Sequence, residues 1–269
     1  MSEIVPDHIH AGAFLVRQGV TEQSWVDPDD PLRLEFEYVR RIVEALEATL
    51  MARPEQERVR LVHIGGGGLS IPRYVAARRP GTVQVVLEPD ADLVEQVRAR
   101  LPLAREATVR IRTTDGRAGL GGFRPASVDG VVLDAFVGAQ VPGELATQEC
   151  FEAIAAILAD TGVLAMNLGD RAPFDWGRRC LAGIAGQFSH LALSAEIAVW
   201  KGRRYGNLVA LSSRRPLPLD ALERDLTRTA FGYRLLSGGP LRSWVGGAAP
   251  FTDTDTRDSI DPVAHGWLR

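Results

Sequence analysis

Lysine is almost missing from this chain: Lys201 is the only one among 31 basic residues, the rest being arginine. That bias reads as base composition rather than function. Cysteine is scarce too. Cys150 and Cys180 form no CxxC and no metal-ligand spacing, which excludes a disulfide scaffold and a cysteine zinc site and suits buried thiols in a reducing compartment. Neither sign of charge dominates, with 31 basic and 34 acidic residues and a net charge of −3, so no nucleic-acid partner is expected. No apolar run approaches the ~20 residues of a membrane helix. The first ten residues carry Glu3 and Asp7 but no Lys or Arg, the wrong charge for a secretory or mitochondrial leader. The expectation is a cytoplasmic protein with no membrane partner.

What is present is ordinary globular material: 269 residues, 45% hydrophobic and 24% charged, enough for a core without staples. Gly12 to Val26 reads as a β-hairpin turning at Arg17-Gln18-Gly19. Leu32, Phe36, Val39, Val43, Leu46 and Leu50 recur at helical spacing and predict an amphipathic helix over 32–51. Apolar runs then alternate with helices. Strands are predicted at 59–64, 83–88, 108–113, 128–134 and 162–168, with helices at 70–79, 90–101, 147–159 and 174–187. This alternation predicts an α/β fold with a mostly parallel sheet. Two further runs, 191–200 and 206–212, predict an antiparallel sheet edge. Beyond Ser213 the signal weakens to a helix over 217–231, a short one at 241–245 and a Thr/Asp/Ser-rich mobile tail over 251–261. The expected organisation is a hairpin and helix over 1–53, a nucleoside-binding domain over 54–213, and a helical extension and polar tail over 214–269.

Open α/β sheets bind ligands beyond the carboxyl ends of their strands. Gly65 to Gly68 follow the first predicted strand, and Glu88 ends the second, 23 residues past Gly65. This is about where a dinucleotide fold places a ribose-binding acid. Asp115, Asp134 and Asn167 follow the next three strands. The same acids would also serve as helix caps or turn residues. No phosphate grip is visible: there is no GxxxxGK[ST], no basic residue in the glycine loop, and Ser70 stands where GxGxxG needs its last glycine. Acids around such a pocket repel a pyrophosphate and suit a cation, such as a nucleoside carrying a sulfonium.

The runs LVHIGGGG, VVLE, TTDGR, VDGVVLDAF and GVLAMNL together resemble the spermidine synthase family of aminopropyltransferases. The resemblance is closest to its short actinobacterial branch and extends from about Gly12 to Ser212. It implies a class I methyltransferase-like, Rossmann-like fold and a homodimer. It implies decarboxylated S-adenosylmethionine, or S-adenosylmethionine, as co-substrate, an amine acceptor and no metal. Gly65, Gly66 and Gly67 would back the nucleoside and its sulfonium arm. Glu88 would hold the ribose hydroxyls, and Asp115, with Gly116, the adenine amine. Gln23 would contact the nucleoside, Tyr38 the substrate, and Asp134 would be the catalytic aspartate.

Three positions depart from the family pattern. Gly68 replaces the aspartate of its GGGDG loop, Val137 the second aspartate of its catalytic loop, and Val39 the histidine after its tyrosine. Three readings stay open. The first is an aminopropyltransferase with a changed acceptor or with acids supplied by Asp29, Asp30 or Asp170. The second is a methyltransferase acting on an unknown small molecule, and the third a nucleoside-binding protein without chemistry. Asp7-His8-Ile9-His10 has no clear third metal ligand and reads as a flexible polar N-terminus, and His63 as a satisfied core histidine. Trp176, Trp200, Trp244 and Trp267 are too scattered for a base-stacking platform and read as packing residues.

Overall fold

The computed structural model describes residues 2–226, 229 and 232–267. The chain opens with β1 (Ser2–Pro6), β2 (Phe14–Gln18) and β3 (Thr21–Val26), an antiparallel sheet in the order β1-β2-β3. The expected hairpin is β2 and β3; β1, which precedes the 7–10 segment expected to be flexible, is a third strand that the sequence did not announce. Ile4 is buried, and the Ser2 hydroxyl donates to Asp90 Oδ2 at 2.9 Å. Asp7 accepts from Trp25 Nε1 at 2.6 Å and meets His10 Nδ1 at 2.9 Å, which fixes the following turn.

The next helix, α1 (Glu37–Ala48), is shorter than its apolar repeat. Asp27 Oδ1 accepts from the backbone N–H of Asp29 and Asp30, and Asp30 Oδ1 from that of Leu32, so turns occupy the start of the predicted helix. Leu34 and Leu50 are still buried, which is why the period outruns the helix at both ends.

The alternating region forms β4 (Arg60–Ile64), α2 (Ser70–Arg78), β5 (Val83–Leu87), α3 (Ala91–Arg100), β6 (Val109–Arg112), a one-turn α4 (Gly116–Leu120) and β7 (Val128–Leu133). A 3-10 turn (Gly143–Leu145), α5 (Gln148–Ile157), β8 (Leu158–Asp170) and α6 (Asp175–Ala185) follow. Then come β9 (His190–Glu196), a short α7 (Ile197–Trp200), β10 (Gly206–Ser213), α8 (Leu219–Leu226), β11 (Tyr233–Ser237) and α9 (Gly238–Val245). The eight-stranded sheet runs β11-β9-β10-β8-β7-β4-β5-β6. From β8 to β6 all pairings are parallel; β10, β9 and β11 pair antiparallel. The order reverses between β4 and β7, so the crevice for a ligand opens at their carboxyl ends.

One face of the sheet packs against α5, α6 and α9 through residues such as Phe151, Leu181 and Leu241. The other packs against α1, α2 and α8 through Leu46, Val75 and Leu222. A smaller cluster of Ile4, Val16, Val26, Leu69 and Val97 joins the N-terminal sheet to α2 and α3. Cys150 and Cys180 are free and buried. No helix among the described residues is long and apolar enough to cross a membrane.

The C-terminal region departs most from expectation. The expected edge strand β10 lies inside the sheet, and the edge is β11, which the sequence reading missed. The expected 191–200 strand ends at Glu196 and finishes in α7. The helix expected over 217–231 is seen as Leu219–Leu226, and its end at Phe231 lies outside the described residues.

The polar tail is packed rather than loose. Phe251 is fully buried beside Trp176, under the Arg179 guanidinium at 4.1 Å, and its carbonyl accepts from Gln148 N–H at 2.8 Å. Ser259 exchanges two bonds with the Val141 backbone at 3.0 and 2.9 Å, and Asp253 pairs with Arg117 at 2.5 Å. Its Thr, Asp and Ser side chains thus bond locally and to the domain surface, so composition alone misleads here.

Phe251→Ala should destabilise the protein by about 3–5 kcal/mol, the usual cost of deleting a buried aromatic ring. Urea unfolding followed by tryptophan fluorescence checks this; an unmoved midpoint would mean that the tail is not part of the cooperative fold.

Candidate active site

The loops after β4, β5, β6 and β7 surround one cavity of about 280 Å³ at the crevice, roofed by β2, β3 and the start of α1. All the sequence-derived candidates line it: Gln23 and Tyr38 from the N-terminal elements, Gly65, Gly66 and Gly67 after β4, Glu88 after β5, Asp115 and Gly116 after β6, and Asp134 after β7.

The glycine loop is shaped by close approach. Gly65 has φ +91, and a Cβ there would lie 2.2 Å from the Asp134 carbonyl oxygen. Its backbone donors are already engaged: Gly66 and Gly67 N–H donate to Glu88 Oε2 at 2.8 and 3.4 Å, and Gly68 N–H to Ser24 Oγ at 3.0 Å. Gly65 N–H donates to the Leu87 carbonyl at 3.0 Å, and Leu69 N–H to that of Gly66 at 2.8 Å. Unlike many glycine loops before a helix, this one keeps no donor from Gly65 to Leu69 for an anion.

Glu88 is held by those amides and by Asp90 N–H at 3.0 Å, so its position is preset. Asp115 caps α4 by accepting from Ala118 N–H at 2.8 Å. The cap reading therefore holds for Asp115, and the same carboxylate also faces the cavity. Gln23 donates its amide N–H to the Gly138 carbonyl, and Gly138 N–H donates to Gln18 Oε1 at 2.6 Å. The hairpin thus grips the loop that follows Asp134.

Asp134 sits on β7's crevice end beside Tyr38. Burial pushes its carboxyl up to about 6, opposed by a hydrogen bond from Asn167 Nδ2 to Oδ1 at 2.9 Å. Asn167 is fully buried and in turn accepts from Asn207 Nδ2 at 3.0 Å. The Tyr38 hydroxyl is pushed well up by burial and then by the Asp134 charge. Five carboxylates line the cavity, from Glu88, Asp90, Asp115, Asp134 and Glu144, and no Lys or Arg does among the described residues. That balance selects a cation over a phosphate.

The alternative acids are not brought here. Asp170 is buried elsewhere, accepting from Arg171 and Gly177 N–H at 2.7 and 2.8 Å, and Asp29 and Asp30 are exposed in the turn before α1. Gly68 is closed to an acid as well: a Cβ would lie 2.6 Å from Val26 Cγ2.

A solved probable spermidine synthase from Corynebacterium glutamicum matches with a TM-score of 0.88 at 30% identity, over 94% of this chain and 92% of that one. The chain belongs to the spermidine synthase family. Polyamine aminopropyltransferases of Vibrio vulnificus and Chromobacterium violaceum are 28% identical over 212 and 200 residues, covering 77% and 72% of this chain. The match spans 66% of the Vibrio relative's length and 74% of the Chromobacterium one's. No family profile matches the chain.

Sequence reasoning named Asn167 as a strand-end residue without assigning it, and missed Gln18, Ser24 and Asn207. Only the Asp134 partnership identifies Asn167. Gln18 and Gln23 flank a turn, a faint signal of paired function, but their target Gly138 lies well over a hundred residues away.

Gly65→Ala should cost about 3 kcal/mol or more, since the methyl meets rigid backbone as well as an unfavourable φ. Gly138→Ala has a comparable φ of +62 but open space around it, and should cost only about 1 kcal/mol. Equal losses in parallel denaturation curves would refute the close-approach account.

Proposed function

We propose that this member of the spermidine synthase family transfers the aminopropyl group of decarboxylated S-adenosylmethionine to an amine. The observation that carries the reading is Asp134. Its carboxylate lies in the cavity of the glycine loop and Glu88, with one oxygen oriented by Asn167. Gly65 to Gly67 would back the nucleoside, Glu88 take the ribose hydroxyls, Asp115 with Gly116 the adenine amine, Gln23 contact the nucleoside from the hairpin and Tyr38 border the acceptor.

An alkylammonium has a pKa of about 10 and no lone pair. Asp134 would take its proton as the nitrogen attacks the aminopropyl carbon next to sulfur. The new C–N bond forms as the C–S bond breaks, its electron pair going to sulfur. Methylthioadenosine leaves, and the released proton rests on Asp134. The sulfonium is a good leaving group, so in-line placement supplies much of the remaining acceleration.

The cavity also bears on the donor. Ordinary S-adenosylmethionine brings a carboxylate, which would meet five acids, no Lys or Arg among the described residues and no unengaged amide between Gly65 and Leu69. A decarboxylated donor brings only positive charge. The homodimer implied by the family resemblance, and the cytoplasmic setting expected from the sequence, belong to the same proposal.

The test is methylthioadenosine release from the decarboxylated donor plus a panel of amines, read by mass spectrometry. S-adenosylhomocysteine from the ordinary donor would make the protein a methyltransferase instead. Asp134→Asn should lower turnover by about 10²–10⁴-fold, and undiminished turnover would remove its role as base. The carboxylate must be ionised to act, so kcat/KM should rise with pH through about 6. The Asn167 bond favours the ionised form, so Asn167→Leu should move that limb upward by about one pH unit. An unmoved limb would refute the positioning role of Asn167.

A further inference from the structure

The cavity is divided by charge. Four of its five acids belong to the β5–β6 side and the 142–145 segment. Glu88 is tied to the glycine loop, Asp90 caps α3 and takes the Ser2 hydroxyl, Asp115 caps α4, and Glu144 lies against Asp115. The other side runs down from Asp134 between the sheet and helices α1 and α2. Val132 precedes Asp134 by two residues on β7 and therefore shares its face. Val132, Val39, Ile71 and Pro72 line this part of the cavity, the first three belonging to the core cluster beneath it.

His63 completes this floor and is only 1% exposed. Gln84 donates its amide to the Pro72 carbonyl at 3.0 Å, which turns its Oε1 toward His63 Nε2 at 2.9 Å. His63 Nε2 therefore carries the proton, while Nδ1 stays buried and unpartnered. Burial pulls the ring down to about 4, so it is neutral at physiological pH and offers no counter-charge to a cation.

Asp134 is thus the only carboxylate on this side among the described residues that line the cavity. An amine nitrogen placed at Asp134 is compensated. A second ammonium further along the same chain would lie against Val39, Ile71, Val132 and a neutral imidazole, where an unpaired charge is expensive. We infer that the acceptor is a primary monoamine with an uncharged, apolar tail, which lies on the floor formed by Val39, His63, Ile71, Pro72 and Val132. The inference rests on the aminopropyl-transfer reading for which atom reacts, and on the cavity alone for which tail fits.

The isosteric pair n-pentylamine and 1,4-diaminobutane tests it, since the two differ only in a terminal methyl against an ammonium. Turnover of each with decarboxylated S-adenosylmethionine is measured alongside calorimetric binding of each to the methylthioadenosine-loaded protein. n-Pentylamine should exceed 1,4-diaminobutane by at least about tenfold in kcat/KM and in affinity. Val39→Glu, which sets a carboxylate on the floor, should narrow or invert that ratio. Equal or better use of the diamine by the unaltered protein overturns the inference. Turnover of neither, with n-pentylamine still bound preferentially, overturns the transfer reading and upholds the tail assignment. Binding of neither overturns the tail assignment as well.

Discussion

The carboxyl ends of β4 and β7 come so close that Gly65 and the Asp134 carbonyl leave no room for a Cβ between them. That contact lies at the point where the strand order reverses. It sets the backbone of the glycine loop directly beside the residue proposed to act on the acceptor. Glu88 then sits within hydrogen-bonding distance of Gly66, and the loop is braced from above by Ser24 of β3. A side chain at Gly65 would separate the two strand ends, and the part of the cavity proposed to hold the nucleoside would no longer adjoin the carboxylate.

The rest of the chain holds this arrangement from outside. The N-terminal sheet covers the crevice and, through Gln18 and Gln23, grips Gly138 in the loop after β7. The tail secures the same loop further along: Ser259 pairs with Val141, and Asp258 accepts from Gly143 N–H at 2.8 Å. Pro142, Glu144 and Leu145, the cavity wall on that side, are therefore positioned by residues more than a hundred positions away. This is why a segment with a loop-like composition has a buried phenylalanine.

The parts legible from sequence were those that local chain order determines. Apolar runs ending in glycine or acid marked β4, β5, β6 and β7, and so placed Gly65, Glu88, Asp115 and Asp134 at one sheet edge before any contact was known. What escaped depends on distant partners. β1 and β11 are short and partly exposed, with little periodicity, and exist because β2 and β9 offer open edges. Asn167 looks like any strand-end polar residue until its bond to Asp134 is seen. Asp29, Asp30 and Asp170 looked available as spare acids, yet Asp30 and Asp170 already accept backbone amides and Asp29 is exposed in the turn before α1, away from the cavity lining.

Burial of Asp134 raises its carboxyl toward neutrality, and the Asn167 bond only partly opposes this. Burial disfavours the anion of such a group, and the arrival of a sulfonium nearby would favour its ionised form. The donor would therefore help to prepare the base that deprotonates the acceptor. A second fixed carboxylate on the apolar floor would disturb that coupling, because like charge would push Asp134 further toward its neutral form. On the proposed reading, the scarcity of acids beside Asp134 would serve two ends: it would select an acceptor with one charge, and it would leave the protonation of Asp134 responsive to the donor.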